Sequence, residues 1–429
     1  MSSYNELSVE ELCELKNGLE DKYNKFKSMG LSLDMSRGKP GGIQLNENNK
    51  LLDEVCSDSD FYSENGWDVR NYGLPYGIPE CQRLFAEIMG VDEKNVVVCG
   101  NSSLNIMFDY ISQCMTHGTG GCEPWMKQGK VKFLCPVPGY DRHFRILEYF
   151  GIEMINIPLL DDGPDMDMIE SYVVDSSVKG MICVPKYSNP TGITFSDETV
   201  RRIAALKPAA GDFRILWDNA YIVHDLSESP DSLLEIFSEC KKHNSEDMII
   251  EVISSSKISY PGAGVAAVAA SDSNINEIKK RIAVQTIGPD KINQIRHVRF
   301  FGSADGVYAH MKKLAKHMAP RFELVLKIFD EELSGKGIAE WTNPNGGYFI
   351  NLKVLPGCAG RTVSLCADVG VKLTGAGAAF PYGKDPEDAY IRIAPSYPSE
   401  DELQSAMEVL CVCVRLAAVE KILEKREKS

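Results

Sequence analysis

Short apolar runs rich in β-branched residues, each ending in small or polar residues, follow one another from residue 94 onward. They end at residues 99, 135, 184, 217 and 255. The intervals of 36, 49, 33 and 38 residues leave room for a crossover helix each time, and the widest could hold an additional strand at 153–157. Near-continuous apolar strands with long crossovers are typical of a parallel sheet covered by helices on both faces. The pattern therefore predicts an α/β fold.

The first section of the chain has a helical pattern, over residues 8–27. Ser8 and Glu11 have the spacing of a capping box at its start. One apolar stripe runs along it, formed by Leu12, Leu15, Leu19 and Phe26. The loop that follows at 36–42, SRGKPGG, is too rich in Gly and Pro for a regular element. We expect the helix to be an N-terminal arm that packs against the last section.

The last section predicts a smaller α+β domain. A helix from Asp305 to about Leu333 precedes its predicted strands, which lie at 346–352, near Val371 and at 391–394. A final helix opens with a capping box of Ser399 and Glu402 and runs to about Lys425. The domains predicted are residues 1–50 (the arm and part of the small domain), 51–300 (the large domain) and 301–429 (the small domain).

Charge and composition narrow the range of partners. The 429 residues include 46 Lys and Arg and 61 Asp and Glu, so the formal net charge is −15. This balance argues against nucleic acid and anionic membrane surfaces as partners. The chain contains no apolar run of the roughly 20 residues that a membrane helix needs, and its first residues resemble neither a signal nor a transit peptide. The composition is that of an ordinary soluble globular protein, and we expect a cytoplasmic location.

The thirteen cysteines are dispersed, without a CxxC pair. Several, including Cys99, Cys135 and Cys183, fall in apolar runs. We expect buried, reduced thiols rather than disulfides or a metal site.

Chemistry-bearing residues follow the predicted strands, at the sheet edge where α/β proteins bind ligands. The first strand is followed by Gly100 and then by Asn101, Ser102 and Ser103, which open a helical pattern. Free amides at a helix N-terminus attract anions, phosphate above all. Plain N-capping is the alternative for this segment.

The next two strand ends carry an aromatic ring and an amide. Tyr140, in PGYDRHF, lies on a loop where its ring could cover a flat ligand or simply pack in the core. Asn189, in PKYSNPTG, precedes a proline, so its backbone is extended and its amide is free to donate to an oxygen, unless the segment is only a turn.

The last two strand ends carry a carboxylate and an amine. Asp218 and Tyr221, in WDNAY, could pair with a protonated ring nitrogen and a phenolic oxygen. Lys257, in SSSKISYPGAG, ends an apolar strand; a solvated lysine is the ordinary alternative, but this position suits a Schiff base with an aldehyde. The five ends together match the groups of pyridoxal 5′-phosphate (PLP).

The order GNSSL, PGY, NPTG, DNAY, SSSK and a late RIAPS resembles the fold-type I PLP-dependent aminotransferases over nearly the whole chain. The spellings SRGKP, PGYDRHF, PKYSNPTG and SSSKISYPGAG resemble the aspartate aminotransferase branch called subgroup Ic. The resemblance implies a large cofactor domain with a mainly parallel sheet, a small α+β domain, and a homodimer with its sites at the subunit interface.

The resemblance also implies a role for each matching residue. Lys257 would form the Schiff base and act as catalytic base, and Asp218 would pair with the pyridine nitrogen. Asn189 and Tyr221 would bind the ring oxygen, while Tyr140 would stack on the ring.

Further matches concern the substrate and the neighbouring subunit. Arg392, in YIRIAPS, matches the arginine that grips the substrate α-carboxylate, with a surface ion pair as the alternative. Gly38 matches the glycine whose backbone helps seat that carboxylate, and Tyr72, in NYGLPYG, matches the tyrosine that reaches the partner's phosphate. Arg37 and Arg142 are both candidates for the distal carboxylate of a dicarboxylic substrate, and each could instead be structural.

One departure from the family concerns the phosphate. Most relatives have an arginine in the turn after the lysine, whereas residues 260–268 here read YPGAGVAAV. Ser254 fits a family phosphate ligand, and we hypothesise that Lys291 of the neighbouring subunit supplies the missing charge.

The predicted activity is transfer of an amino group from aspartate or glutamate to a 2-oxo acid such as 2-oxoglutarate, by a ping-pong mechanism and without a metal. An aminotransferase for aromatic or kynurenine-type substrates, a β-lyase and a decarboxylase remain open, because one fold hosts all of them. Regulators that resemble aminotransferases carry an additional N-terminal DNA-binding domain. A ligand-sensing regulator is therefore disfavoured, because only about 90 residues precede the first core strand. An inactive scaffold is disfavoured because Lys257, Asp218 and Arg392 are all present.

Overall fold

The computed structural model describes residues 3–428 and confirms an α/β fold, with a large eight-stranded sheet, a small three-stranded sheet and a separate two-stranded parallel sheet. Its helices are α1 (Val9–Ser28), α2 (Gly42–Asn46), α3 (Pro79–Met89), α4 (Ser103–His117), α5 (Asp141–Tyr149), α6 (Met166–Tyr172), α7 (Asp197–Ala204), α8 (Ile236–Lys241), α9 (Asp272–Gln285), α10 (Lys291–Phe301), α11 (Ala304–Glu332), α12 (Ala359–Val369) and α13 (Glu400–Glu427). Its strands are β1 (Leu33–Asp34), β2 (Val96–Val98), β3 (Lys132–Val137), β4 (Glu153–Leu160), β5 (Gly163–Pro164), β6 (Val178–Cys183), β7 (Arg214–Asp218), β8 (Ile249–Ser254), β9 (Ala266–Ala270), β10 (Ala339–Trp341), β11 (Ile350–Val354), β12 (Val371–Lys372) and β13 (Tyr390–Ile393).

The large sheet has the strand order β2-β9-β8-β7-β6-β3-β4-β5. The run from β8 to β4 is parallel throughout, as the apolar runs predicted, and the additional strand expected at 153–157 is β4. Strand β9 was not predicted; it runs antiparallel to both β2 and β8. Strand β2 therefore points in the same direction as β8.

Alternate residues of each central strand enter two separate apolar layers. In β7, Ile215 and Trp217 pack in the layer that contains α3, α7 and α8. Leu216, between them, packs in the layer that contains α4 and α5. This alternation explains the near-continuous apolar runs, since a sheet covered on both faces buries both sets of side chains.

The small sheet, in the order β10-β11-β13, is antiparallel. Its core includes Leu12 and Leu19 of α1 together with residues of α12 and α13. Helix α1 packs directly on α13, as expected for the arm. Both predicted capping boxes are present, at the starts of α1 and α13. The domain boundaries at residues 50 and 300 stay predictions.

All thirteen cysteines are free thiols; nine of them, including Cys135 and Cys183, are buried, and Cys99 and Cys122 are half-buried. Cys13 and Cys56 are exposed, so the expectation of burial is wrong for these two. Within residues 3–428, no helix combines the length and the apolar character needed to cross a membrane.

Candidate active site

The five predicted strand ends meet at one edge of the large sheet. Strands β3, β6, β7 and β8 are parallel, and β2 shares their direction through its antiparallel pairing with β9. The segments that follow them therefore converge at their carboxyl ends, which is where open α/β sheets bind ligands.

Lys257 ends a one-turn 3-10 helix, Ser255–Lys257, directly after β8. Its Nζ lies 4.8 Å from the ring centroid of Tyr221 and 6.0 Å from that of Tyr348. The Tyr348 hydroxyl donates to the Lys257 carbonyl at 3.5 Å and accepts from Gln44 Nε2 at 3.1 Å. Burial raises the pKa of Tyr221 and of Tyr348, so both phenols stay protonated beside the amine.

Asp218 is the last residue of β7 and is 2% exposed. Its Oδ2 lies 2.8 Å from Nε2 of His143, a buried residue on α5. Its other oxygen, Oδ1, is buried and has no hydrogen-bond partner among the described residues. A buried carboxylate oxygen without a donor costs free energy, so this atom is open to a donor on a ligand.

Tyr140 is the N-cap residue of α5 and packs edge-on against His143, with ring centroids 5.0 Å apart. Burial raises the pKa of its hydroxyl, and the positive charge of Lys257 opposes that rise. The charges of Lys257 and Asp218 both act on Tyr140, which shows that the three predicted residues share one space.

Asn189 is 2% exposed and lies between Tyr221 and Arg392. Its Oδ1 accepts from Arg392 Nη1 at 3.4 Å, and its side chain acts to lower the pKa of the Tyr221 hydroxyl, against the larger effect of burial. The structure therefore links a residue of the small sheet, Arg392 on β13, to the edge of the large one.

The guanidinium of Arg392 is partly buried and has several partners, so it is not the surface ion pair considered as the alternative. Nη1 donates to Asp141 Oδ1 at 3.2 Å, Nη2 donates to Thr374 Oγ1 at 3.2 Å, and the group lies 4.9 Å from the ring centroid of Phe349. Its Nε is buried and lacks a hydrogen-bond partner among residues 3–428. The side chain is only 13% exposed, so a carboxylate that reaches it is partly desolvated.

Gly38 lies against the other side of this cluster. A Cβ atom added to it would lie 2.3 Å from Cζ of Phe349, the ring beneath Arg392. Any larger residue here would require the Phe349 ring to move, which agrees with a backbone that approaches the Arg392 pocket closely.

The segment before α4 has an arrangement suited to an anion. Ser102 is the N-cap residue, but its side chain makes no capping hydrogen bond, so plain N-capping does not account for its hydroxyl. Asn101 is exposed, and its carbonyl accepts from Ser256 Oγ at 3.1 Å, which brings the Lys257 turn to the start of α4. Ser103 is buried, as is Ser254 at the end of β8.

Other predicted residues lie apart from this cluster within the single chain. The Arg37 side chain is exposed on its loop, and that of Arg142 is 64% exposed on α5. Tyr72 is 74% exposed, whereas Lys291 is 4% exposed with Nζ 3.5 Å from the Pro289 carbonyl. The segments carrying Tyr72 and Lys291 are nonetheless neighbours, because the Gly73 amide donates to the Ile287 carbonyl at 3.2 Å.

Sequence reasoning missed four side chains of the cluster. His143 and Asp141 lie within the quoted PGYDRHF, and His143 follows Tyr140 at helical spacing, which was an available signal. Tyr348 and Phe349 lie in GGYFINL, which reads as a strand and carries no local sign of a site.

Comparison with known proteins agrees with this arrangement. A family model described as aspartate amino-transferase matches residues 7–426. An aspartate aminotransferase of Corynebacterium glutamicum is 44% identical over 403 residues, 94% of this chain and 93% of that one. A putative aminotransferase of Mycolicibacterium smegmatis is 45% identical over 404 residues, 94% of each chain.

The fold comparison extends the same agreement to three dimensions. The crystal structure of an aspartate transaminase from Corynebacterium glutamicum matches with a TM-score of 0.95 at 42% identity, and the match covers 98% of this chain and 99% of that one. The chain belongs to the aspartate aminotransferase family, with the α/β fold of the type I aminotransferases.

Proposed function

We propose that this chain is a cytoplasmic, PLP-dependent aminotransferase that moves the amino group of aspartate or glutamate to a 2-oxo acid such as 2-oxoglutarate. The observation that carries the proposal is the buried Oδ1 of Asp218, which has no hydrogen-bond partner within residues 3–428 and lies at the same sheet edge as the Lys257 amine. A carboxylate oxygen at this place suits the protonated ring nitrogen of PLP. The Lys257 amine suits its aldehyde, and the chemistry of the donor set therefore fits the cofactor.

The residues around Asp218 would hold the ring. His143 fixes one carboxylate oxygen, which leaves the other to accept from the ring nitrogen. Asn189 and Tyr221 would donate to the ring oxygen, and Tyr140 would lie over one face. Main-chain amides at the start of α4, with the hydroxyls of Ser102, Ser103 and Ser254, would bind the phosphate.

When bound, PLP supplies an aldehyde for the amino group and a ring that accepts electron density from the substrate Cα. The free Lys257 amine would take the proton from the substrate Cα and later give it back within the same site. Asp218 would hold the ring nitrogen in its protonated form. The protonated phenols of Tyr221 and Tyr348 flank Lys257 and help to exclude water from the amine.

Arg392 and the Gly38 backbone would seat the substrate α-carboxylate, since a planar guanidinium binds a carboxylate through two parallel hydrogen bonds. Arg37 and Arg142 stay the two candidates for the distal carboxylate. The variants Arg37→Ala and Arg142→Ala distinguish them. Loss of the residue that binds this group would raise the KM for aspartate and leave unchanged the KM for the amino acid alanine, which has no distal carboxylate.

We further propose a homodimer in which Tyr72 and Lys291 reach the phosphate of the partner subunit. The exposure of Tyr72 and the adjacency of the two segments support this idea. Lys291 is buried within the single chain, so its side chain would have to turn outward to reach the neighbouring site. Lys291→Ala is expected to weaken cofactor retention. Sedimentation of the purified chain as a monomer, or unchanged retention in that variant, would count against the arrangement.

The decisive experiment follows the visible absorption band of the purified protein. The wild-type chain should be coloured with PLP, and aspartate or glutamate alone should convert the band and release the corresponding 2-oxo acid. Lys257→Ala should lack the band conversion. A protein that stays colourless when supplied with PLP contradicts the proposal.

The same assay separates the alternative reactions. Release of ammonia identifies a β-lyase and release of carbon dioxide a decarboxylase, whereas conversion by aromatic amino acids or kynurenine in preference to aspartate redirects the substrate assignment. Initial rates with both substrates varied should give parallel double-reciprocal lines, as a ping-pong mechanism requires. Intersecting lines, the sign of a ternary complex, would contradict that mechanism.

A further inference from the structure

The phosphate of the proposed cofactor needs a cation that the turn after Lys257 does not supply. Residues 258–265 contain no Lys or Arg, and they include Gly262 and Gly264. Hydroxyls and main-chain amides alone would leave most of a dianion's charge uncompensated at the start of α4. The missing cation must come from another segment.

Helix α10 is fastened to this turn along one face. Asn293 Nδ2 donates to the carbonyls of Ala263 and Gly264 at 2.9 and 3.0 Å. His297 lies one helical turn further, with Nε2 2.7 Å from the hydroxyl of Ser259, two residues after Lys257. Positions three and four residues apart share a helix face, so the residue at 296, three residues after Asn293, lies beside the Asn293 contacts with the turn.

That residue is Arg296, and it lines a cleft of about 330 Å³ between α10 and the start of α4. The other walls of the cleft are Cys99, Gly100, Asn101, Gly262, Ala263, Gly264, Val265, Asp290 and Asn293. The Arg296 Nε is buried and has no hydrogen-bond partner among the described residues. An unsatisfied guanidinium donor is costly, and a bound anion would satisfy it.

The acidic residue of the cleft, Asp290, already has a structural partner. It is the N-cap of α10, and its Oδ1 accepts from the Asn293 amide at 3.0 Å. Arg296 is therefore the basic group on the cleft wall that also includes Gly100 and Asn101, the residues leading into the phosphate segment.

We propose that Arg296 binds the cofactor phosphate in its own subunit and takes over the role of the arginine missing from the turn. The inference rests on the proposed function. It differs from the Lys291 hypothesis because it needs no residue from a partner, and a planar guanidinium can contact two phosphate oxygens at once.

The test compares a phosphorylated ligand with an unphosphorylated one. The full-length chain, freed of cofactor, is titrated with PLP and with pyridoxal, and the visible band gives both dissociation constants. Arg296→Gln should weaken PLP binding by about tenfold or more, as expected for the loss of a charge-assisted hydrogen bond, and leave pyridoxal binding unchanged. Arg296→Lys should lie between the two proteins. Arg299→Gln, one turn further along α10, is the matched control.

The outcomes separate this inference from the proposed function. Equal PLP affinity in wild type and Arg296→Gln, or an equal loss for PLP and pyridoxal, overturns the role of Arg296 while the enzyme assignment stands. A PLP-specific loss in Lys291→Ala with none in Arg296→Gln assigns the charge to Lys291 and also overturns it. A wild-type chain that binds neither compound overturns both proposals.

Discussion

His143 Nε2 lies 2.8 Å from Asp218 Oδ2, and both side chains are almost completely buried. The contact fixes the orientation of the carboxylate that we propose as the partner of the ring nitrogen. It joins a residue of α5 to the end of β7, so two segments 75 residues apart determine one proton site.

Removing this contact should reduce activity without abolishing it. His143→Ala is expected to lower kcat by about tenfold, the value of one buried hydrogen bond, and to shift the pH dependence of the visible band. His143→Gln, which can still donate to Asp218, should recover part of the loss. If thermal stability falls while the visible band titrates as in wild type, His143 contributes only to packing, and the prediction is wrong.

Asp141 competes with the substrate α-carboxylate for the guanidinium of Arg392, because its Oδ1 accepts from Arg392 Nη1 at 3.2 Å. Asp141→Asn keeps the shape and removes the competing charge. The KM for both amino acid and 2-oxo acid should fall by about threefold, since a partly exposed pair contributes roughly 1 kcal/mol or less, while kcat changes little.

The control for this prediction is Asp167→Asn, which removes a carboxylate from an exposed ion pair with Arg202. It should leave both KM values unchanged. A higher KM in Asp141→Asn would contradict the competition argument and show instead that Asp141 holds the guanidinium in position.

Gly38→Ala should damage the same pocket from the other side. The new Cβ would lie 2.3 Å from Cζ of Phe349, so the ring must move, and the Arg392 guanidinium rests over it. We expect kcat/KM to fall by about tenfold or more, through misplacement of the substrate carboxylate.

Gly42→Ala is the matched control, because a Cβ at Gly42 meets no atom of the described part of the chain within 4 Å. It should keep wild-type kinetics. A second change, Phe349→Leu, should restore part of the activity lost in Gly38→Ala by vacating the space that the methyl group needs. Absence of any such rescue would contradict a clash with this ring.

The sequence predicted the features that depend on local pattern. The β-branched runs gave the parallel strands, and the residues that follow them gave Lys257, Asp218 and Tyr140 at one sheet edge. Strand β9 could not be predicted because its residues, AAVAA, have little intrinsic preference for a strand. Its strand conformation depends on hydrogen bonds to β2 and β8 on either side.

The parts of the site that could not be predicted depend on contacts between distant segments. Phe349 comes to lie under Arg392 only when β11 and β13 pair, and Arg296 reaches its cleft only when α10 is fastened to the glycine-rich turn. The strand expected at 346–352 begins at Ile350 because Gly346 and Gly347 approach Tyr187, a residue of the large-sheet edge. Such pairings have no local signature.

A last prediction concerns stability rather than catalysis. Glu251, on β8, is 2% exposed and accepts from Asn219 Nδ2 at 2.8 Å, next to Asp218. Burial raises the pKa of its carboxyl from its ordinary value of 4.5 to about 8, and the hydrogen bond from Asn219 opposes that rise. Below pH 4.5 the group is protonated in both the folded and the unfolded chain. Between pH 4.5 and about 8 only the unfolded chain loses the proton.

The free energy of unfolding, relative to that of Glu251→Gln, should therefore fall by about 1.4 kcal/mol per pH unit across this window and stay constant above it. The Gln variant keeps an acceptor for Asn219 and cannot ionise, so the difference between the two denaturation curves isolates this one group. Urea unfolding of both proteins from pH 4 to pH 9 measures it. A difference that does not change with pH would show that Glu251 ionises in the folded chain as readily as in the unfolded one. The burial of Glu251 opposes this outcome, because it disfavours the charged carboxylate.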